Sequence, residues 1–195
     1  MDYPLTLNFK ILSIAPQIRV RDAHGDLVFY VHQKAFKLRE AITVFGDEAR
    51  TRALATVAAD RIIDFSAAYS FTGADGRAIG SLRRRGMRSL WKAHYDIAGP
   101  DGTPSLRISE DNAMVKFFDG IFREIPLLNL LSGYVFNPTY SVYGEDDRVV
   151  FRMRKRPSFL ETAFTIEEVA DLPVSTEALV VLSLLTMVLL ERSRG

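Results

Sequence analysis

The sequence predicts a mainly β fold: a closed antiparallel β-barrel of about twelve strands that encloses a hydrophobic C-terminal α-helix. Two observations lead to this prediction. Short segments of alternating polar and apolar residues recur along the chain, separated by turn sequences, and one uncharged apolar stretch lies near the C-terminus. The 195 residues suit one domain, 1–195, which can bury a sizeable core without disulfide bonds.

The strand segments show a period of two residues. Apolar and polar residues alternate over 5–11 and 91–97, and Val149, Phe151 and Met153 alternate with Arg152 and Arg154, so each segment has one apolar and one mainly polar face. Such strands suit an antiparallel sheet with one face toward the core and the other toward water. About a dozen strands of ordinary length fit between Leu5 and Ile166.

Turn sequences separate these strands. Residues 22–26, 74–77, 100–103 and 144–147 are rich in Asp, with Gly in each. Asp-Gly supplies the backbone conformations with positive φ that tight hairpins need. Since short apolar stretches such as 27–31 follow the turns, we expect strand, turn and strand to repeat along the chain.

The apolar stretch near the C-terminus predicts a helix over 175–192. Residues 178–190 carry no charge and would rise only about 20 Å, short of the roughly 20 residues that cross a bilayer. A helix that is apolar on every side and too short to span should be buried inside the barrel. Its buried side chains should include Leu182, Leu184, Leu185 and Leu189. The alternative is a membrane tail anchor with a shortened span, because the helix lies at the C-terminus.

A second apolar segment, 117–136, has no period of two. Ile121, Phe122 and Ile125 have the spacing of one helical face, and Pro126 can end that helix. One prediction is that the segment plugs one mouth of the barrel and covers leftover apolar surface. The other is that its leucines stay exposed, forming a dimer contact or inserting into a membrane surface.

Composition narrows the classes of function. The 25 Lys and Arg against 24 Asp and Glu leave the chain nearly neutral, so no nucleic-acid partner is expected. The absence of Cys removes disulfides, thiol nucleophiles and cysteine zinc sites. The N-terminus does not resemble a secretory signal, so a cytoplasmic location is the default expectation.

The chain shows no enzyme signature. His24, His32 and His94 lack the spacing of a metal site, and the glycines within 73–80 do not form a phosphate-binding loop. Adjacent acidic residues point to opposite sides of an extended chain, so they cannot easily act as an acid and base pair. We therefore expect a non-catalytic protein with no cofactor and no metal.

Two basic clusters lie on this nearly neutral background. If they meet on the barrel exterior, with Lys92 and His94 between them, they would form a positive patch suited to phosphate head groups. Alternatively, each is a solvated strand residue or pairs with a nearby acid. The candidate anion-binding residues are Arg83, Arg84, Arg85, Arg88, Lys92, Arg152, Arg154, Lys155 and Arg156.

Several local sequences together resemble the LURP-one-related and phospholipid-scramblase-like group of the Tubby C-terminal-like superfamily. They are 33–40 (QKAFKLRE), 80–85 (GSLRRR), 89–93 (SLWKA), 137–140 (NPTY), 155–160 (KRPSFL) and 189–192 (LLER). The resemblance implies a twelve-stranded barrel around a hydrophobic C-terminal helix, which agrees with the fold that the residue patterns predict.

Three functional hypotheses follow. Tubby domains bind phosphoinositide head groups, so the first is a non-catalytic module, peripheral to membranes, that recognises anionic phospholipid through the basic clusters. The second is a scramblase-like lipid-handling protein. The third is a structural or oligomeric interaction protein that uses 117–136. In each case the helix is expected to lie inside the protein and not to span a membrane.

Overall fold

A computed structural model describes residues 1–10, 17–32, 41–60, 68–85, 94–111, 138–156 and 161–192. Within these ranges the chain forms twelve strands and one long helix, α1 (Val174–Arg192). The strands are β1 (Leu5–Lys10), β2 (Gln17–Arg21), β3 (Leu27–His32), β4 (Ile42–Phe45), β5 (Ala53–Ala59), β6 (Ala68–Gly73), β7 (Ala78–Arg84), β8 (His94–Ala98), β9 (Pro104–Glu110), β10 (Thr139–Tyr143), β11 (Val149–Arg156) and β12 (Glu161–Glu168).

Each strand pairs antiparallel with its neighbours in sequence, and β12 pairs with β1 to close the barrel. Odd-numbered strands therefore finish at one end, here called the loop end. Even-numbered strands finish at the other, the hairpin end, where the tight turns 74–77 and 100–103 lie. Closure removes the unpaired edges that an open sheet would expose. The predicted closed antiparallel barrel with one C-terminal helix is confirmed.

In the turns at the hairpin end, Asp and Gly have the roles that the sequence predicts. Gly76 and Gly102 have φ values of 79° and 80°. Asp75 and Asp101 each accept a hydrogen bond of 3.0 Å from the backbone N–H two residues later. The N–H of Thr103 thereby lowers the pKa of Asp101 below its ordinary value. These local bonds explain why Asp and Gly recur between the strands.

The inner face of the barrel is apolar, as the period of two predicts. Leu5, Leu7 and Phe9 of β1 are at most 1 % exposed, and Met153 of β11 is fully buried. Tyr95 of β8 also faces inward and is buried. The start of the predicted 91–97 segment lies outside the described residues, since β8 begins at His94.

Helix α1 fills the barrel interior. It runs from the hairpin end to the loop end, because β12 finishes at the hairpin end. Every residue from 179 to 190 is buried, including Leu182, Leu184, Leu185 and Leu189. By length and composition, Val174–Glu191 could cross a membrane, but 72 % of that stretch is buried inside the protein. In this structure the barrel therefore encloses the helix, as the first of the two sequence predictions expects.

The helix approaches the wall most closely at β7 and β8. A Cβ atom on Gly80 of β7 would overlap the carbonyl oxygen of Ala98 and lie 2.7 Å from a methyl carbon of Leu179. Gly80 also has a φ of 153°, which residues with a side chain rarely adopt. Glycine at this position thus lets α1 lie directly against the wall.

Replacing Leu185 with Asp should abolish soluble folding. Leu185 is fully buried, and an unpaired charge in an apolar interior costs several kcal/mol against a total stability of about 5–15 kcal/mol. Val174→Asp is the matched control, because Val174 is 73 % exposed in the first turn of the same helix. Soluble yield and thermal melting followed by circular dichroism test both variants. A Leu185→Asp protein that melts like wild type would overturn the enclosed-helix fold.

Gly80→Ala should lower the free energy of unfolding by about 1–3 kcal/mol, because the added methyl group overlaps fixed backbone. At roughly 2–4 °C per kcal/mol for a chain of this size, the loss is visible in Tm. Gly99→Ala is the control, since the nearest atom to its new Cβ would be Asp101 Oδ1 at 3.3 Å. Equal melting of the two variants would contradict the close packing around Gly80.

Candidate functional site

Seven of the nine candidate residues fall at the ends of two strands. Arg83 and Arg84 finish β7 and Arg85 follows them, while residues 152–156 finish β11. Both strands end at the loop end of the barrel. Arg88 and Lys92 lie outside the described residues, so their role stays a prediction.

Arg83, Arg84 and Arg85 do not form one cationic surface. Arg84 faces the barrel interior, where its guanidinium lies 3.9 Å from the carboxylate of Glu191. Arg85 donates a hydrogen bond of 2.7 Å to Asp96. Arg83 is exposed on the outer face. Two of the three cations therefore have acidic partners, as expected from the alternative in which each basic residue pairs with a nearby acid.

Arg84, Tyr95 and Glu191 form a clasp that holds the last turn of α1 to β7 and β8. The Tyr95 hydroxyl donates to Glu191 Oε1 at 2.6 Å, and the Arg84 guanidinium lies 5.9 Å from the centre of the Tyr95 ring. Burial, with the added charge of Glu191, raises the pKa of Tyr95 far above its ordinary value. The phenol therefore stays protonated and donates to the carboxylate.

Three outward arginines follow one another along β11. Arg152, Arg154 and Arg156, here called the arginine row, span roughly 13 Å because residues on one face of a strand repeat about every 6.7 Å. Within the described part of the chain, Arg152 and Arg156 make no ion pair. Arg154 lies 3.7 Å from Glu167 of β12. Glu167 also lies opposite Arg152 in the sheet register, so one acid accompanies the three arginines and the row keeps a net positive charge.

Hydroxyl side chains flank the arginine row. In the sheet register, Arg154 lies between Thr139 of β10 and Thr165 of β12, on the same face. Guanidinium groups and hydroxyls both donate hydrogen bonds to phosphate oxygens. The outer face of β11 therefore combines the two kinds of donor that suit an anionic head group.

Three strands separate the two basic groups. Four spacings of about 4.8 Å place β7 and β11 roughly 19 Å apart along the barrel surface. His94, Ser109 and Ser141 occupy the strands between them at one level of the sheet. Ser109 is only 8 % exposed and Ser141 only 1 %. The surface between the two basic groups is therefore not a continuous exposed cationic patch. The two groups do not lie side by side.

Lys155 faces the inside of the barrel, between the outward Arg154 and Arg156. It lines a pocket of about 210 Å³ between the last turns of α1 and the inner faces of β10, β11 and β12. The pocket is shared with Tyr140, Thr162, Phe164, Met187, Val188 and Glu191. Sequence reasoning missed this pocket, although the alternation that turns Met153 inward also turns Lys155 inward.

The histidines offer no metal site in the described ranges. His24 lies in a turn, and His32 and His94 lie in β3 and β8, where the sequence placed them. No group of three or more His, Asp or Glu side chains that could hold a metal ion occurs in this part of the chain. The segment 117–136 lies outside the described residues, so its plug, dimer and membrane interpretations stay predictions.

The closed twelve-stranded barrel around a C-terminal helix is the fold that the Tubby-like resemblance implies. Comparison with known proteins identifies the family. The family model described as LURP-one-related matches residues 27–165, most of the chain. The chain therefore belongs to the LURP-one-related family, and the resemblance in the sequence is confirmed.

A crystal structure of a protein from Arabidopsis thaliana has a similar fold. The TM-score is 0.52 at 14 % identity, and the match covers 98 % of this chain and 92 % of that one. At this identity the likeness shows the fold alone. No curated protein matches the chain significantly in sequence.

Tyr95→Phe should lower the free energy of unfolding by about 1–3 kcal/mol, because it leaves the Glu191 carboxylate without a buried hydrogen-bond donor. Tyr143→Phe is the control, since the Tyr143 hydroxyl makes only an exposed 3.3 Å bond to Asp111. Urea denaturation measures both. If Tyr95→Phe unfolds at the same urea concentration as wild type, the clasp does not stabilise the helix end.

Proposed function

We propose that this chain is a non-catalytic binding module, peripheral to membranes in the cytoplasm, that recognises anionic phospholipid head groups such as phosphoinositides. The arginine row is the observation that carries the proposal. Arg152, Arg154 and Arg156 share one outer face, and among the described residues Glu167 is the one acid within ion-pair distance of them.

The charge balance makes a local cluster necessary for such binding. A net charge of +1 gives the whole protein little attraction to an anionic surface. Each basic residue near such a surface contributes about 1 kcal/mol, so three arginines supply up to about 3 kcal/mol. That amount suits weak and reversible association, which a peripheral protein requires.

The geometry of the row favours a head group with more than one phosphate. Neighbouring arginines of the row lie about 6.7 Å apart along the strand. Each guanidinium can bind a phosphate with two parallel hydrogen bonds, and Thr139 and Thr165 add hydroxyl donors beside Arg154. Separate phosphates of one inositol ring can then contact separate arginines.

The family resemblance supports this ligand class, and the proposed cytoplasmic location is consistent with it. Tubby domains, which this barrel resembles, bind phosphoinositide head groups. Anionic phosphatidylserine and phosphoinositides give the cytoplasmic leaflet its negative surface potential. A cytoplasmic protein with an outward arginine row would meet its ligand there.

Replacing Arg154 and Arg156 together with Gln should weaken the affinity for phosphoinositide-bearing liposomes, measured by co-sedimentation, by about 10- to 30-fold at low salt. The expected loss is about 1 kcal/mol for each arginine. The difference should shrink as salt rises, because exposed charges are screened over about 10 Å at 0.1 M. Both side chains are exposed, so the fold should be preserved.

The matched control is Arg77→Gln with Arg148→Gln, at the hairpin end. These arginines are 89 % and 83 % exposed, and each pairs with a nearby Asp. The control removes the same charge at the opposite end of the barrel from Arg154 and Arg156, and it should bind liposomes as wild type does. Equal binding by the wild type and both double variants would remove the arginine row from the proposal, and absence of wild-type binding would end it.

A further inference from the structure

The pocket beside Lys155 has the composition of a site for an amphipathic molecule. Its inner part is formed by Phe164 of β12 and by Met187 and Val188 of α1, all buried and apolar. Its polar groups lie where β11 and α1 reach the loop end, with Lys155 on the wall and Glu191 on the helix. One end of the pocket therefore favours hydrocarbon and the other favours charge.

The two charged groups of the pocket are not equivalent. Glu191 accepts the Tyr95 hydroxyl bond at 2.6 Å and lies 3.9 Å from the Arg84 guanidinium, so its charge is already balanced by the clasp. Lys155 makes no ion pair within the described residues. The buried acid Glu110 of β9 lies opposite Tyr140, two strands away from Lys155, and forms no ion pair with it. Lys155 is thus a cation of the pocket with no ion-pair partner among the described residues, and an anion would complement it.

The volume limits the size of the occupant. At about 210 Å³ the pocket is smaller than the 300–1,000 Å³ of usual small-molecule sites. It can take one hydrocarbon chain, and a lipid with two chains is too large. A carboxylate on a single chain fits both the volume and the charge.

We propose that this pocket binds a medium-chain fatty acid, with the carboxylate at the Lys155 ammonium and the hydrocarbon chain along Phe164, Met187 and Val188. The site goes beyond the proposed function and does not depend on it. Lys155 lies on the inner face of β11, whereas the arginine row lies on the outer face. The two faces of one strand would serve two ligands.

Decanoate below its micelle-forming concentration is the probe, measured by calorimetry on the full chain. Decanoate should bind about tenfold more tightly than decanol, because only the carboxylate forms a charge-assisted hydrogen bond with Lys155. Butyrate should not bind measurably, because its chain is too short to cover the apolar part of the pocket. These comparisons need no variant and therefore no assumption about folding.

Lys155→Met should lower decanoate affinity about tenfold, to that of decanol, while Lys155→Arg should restore it. Arg156→Gln is the matched control, since Arg156 is the next residue on β11 and faces outward; it should bind decanoate as wild type does. Val188→Trp should fill the pocket and block decanoate and decanol alike, with circular dichroism checking that the variant folds.

The outcomes separate this proposal from the lipid-surface proposal. Lys155→Met should keep its binding to phosphoinositide liposomes, and the Arg154 and Arg156 double variant should keep its binding to decanoate. Equal affinity for decanoate and decanol would overturn the role of Lys155. Absence of decanoate binding to the wild type would overturn the pocket, whatever the liposome result.

Discussion

The architecture depends on the burial of one uncharged helix. Residues 179–190 of α1 are buried on every side, so the surrounding protein must present apolar side chains in every direction. A flat sheet covers only one side of a helix. A closed antiparallel sheet with one dry face covers all of it, and it leaves the outer face free for polar and charged residues.

The polar residues at the two ends of α1 fix its position along the barrel axis. Near the hairpin end, Glu177 accepts a 3.3 Å hydrogen bond from the Tyr3 hydroxyl. At the loop end, Glu191 accepts the bond from Tyr95. A tyrosine outside the helix therefore holds a glutamate at each end. Sliding the helix by one turn would draw one carboxylate into the apolar interior, which is costly.

Much of the fold could be predicted because its patterns are local. Alternation along β1 and β11 needs only neighbouring residues, and the uncharged stretch 178–190 identifies the helix. The inward direction of Lys155 could also be predicted, because it lies two residues after Met153 on the same strand and therefore on the same face. The partners of the basic residues could not be predicted from the sequence. Glu191 is far from Arg84 along the chain, and only the strand order and the enclosed helix bring the two side chains together.

Helix α1 is held against one side of the barrel. Gly80 lets Leu179 approach β7 near the hairpin end, and the clasp ties Glu191 to the same side at the loop end. An off-centre helix leaves space along other parts of the wall, and the 210 Å³ pocket lies there, against β10, β11 and β12. A larger side chain on the inner face of β7 or β8 would clash with the helix, whereas the inner faces of β10, β11 and β12 have space for side chains of different sizes. Relatives of this barrel could therefore enclose different molecules without moving the helix.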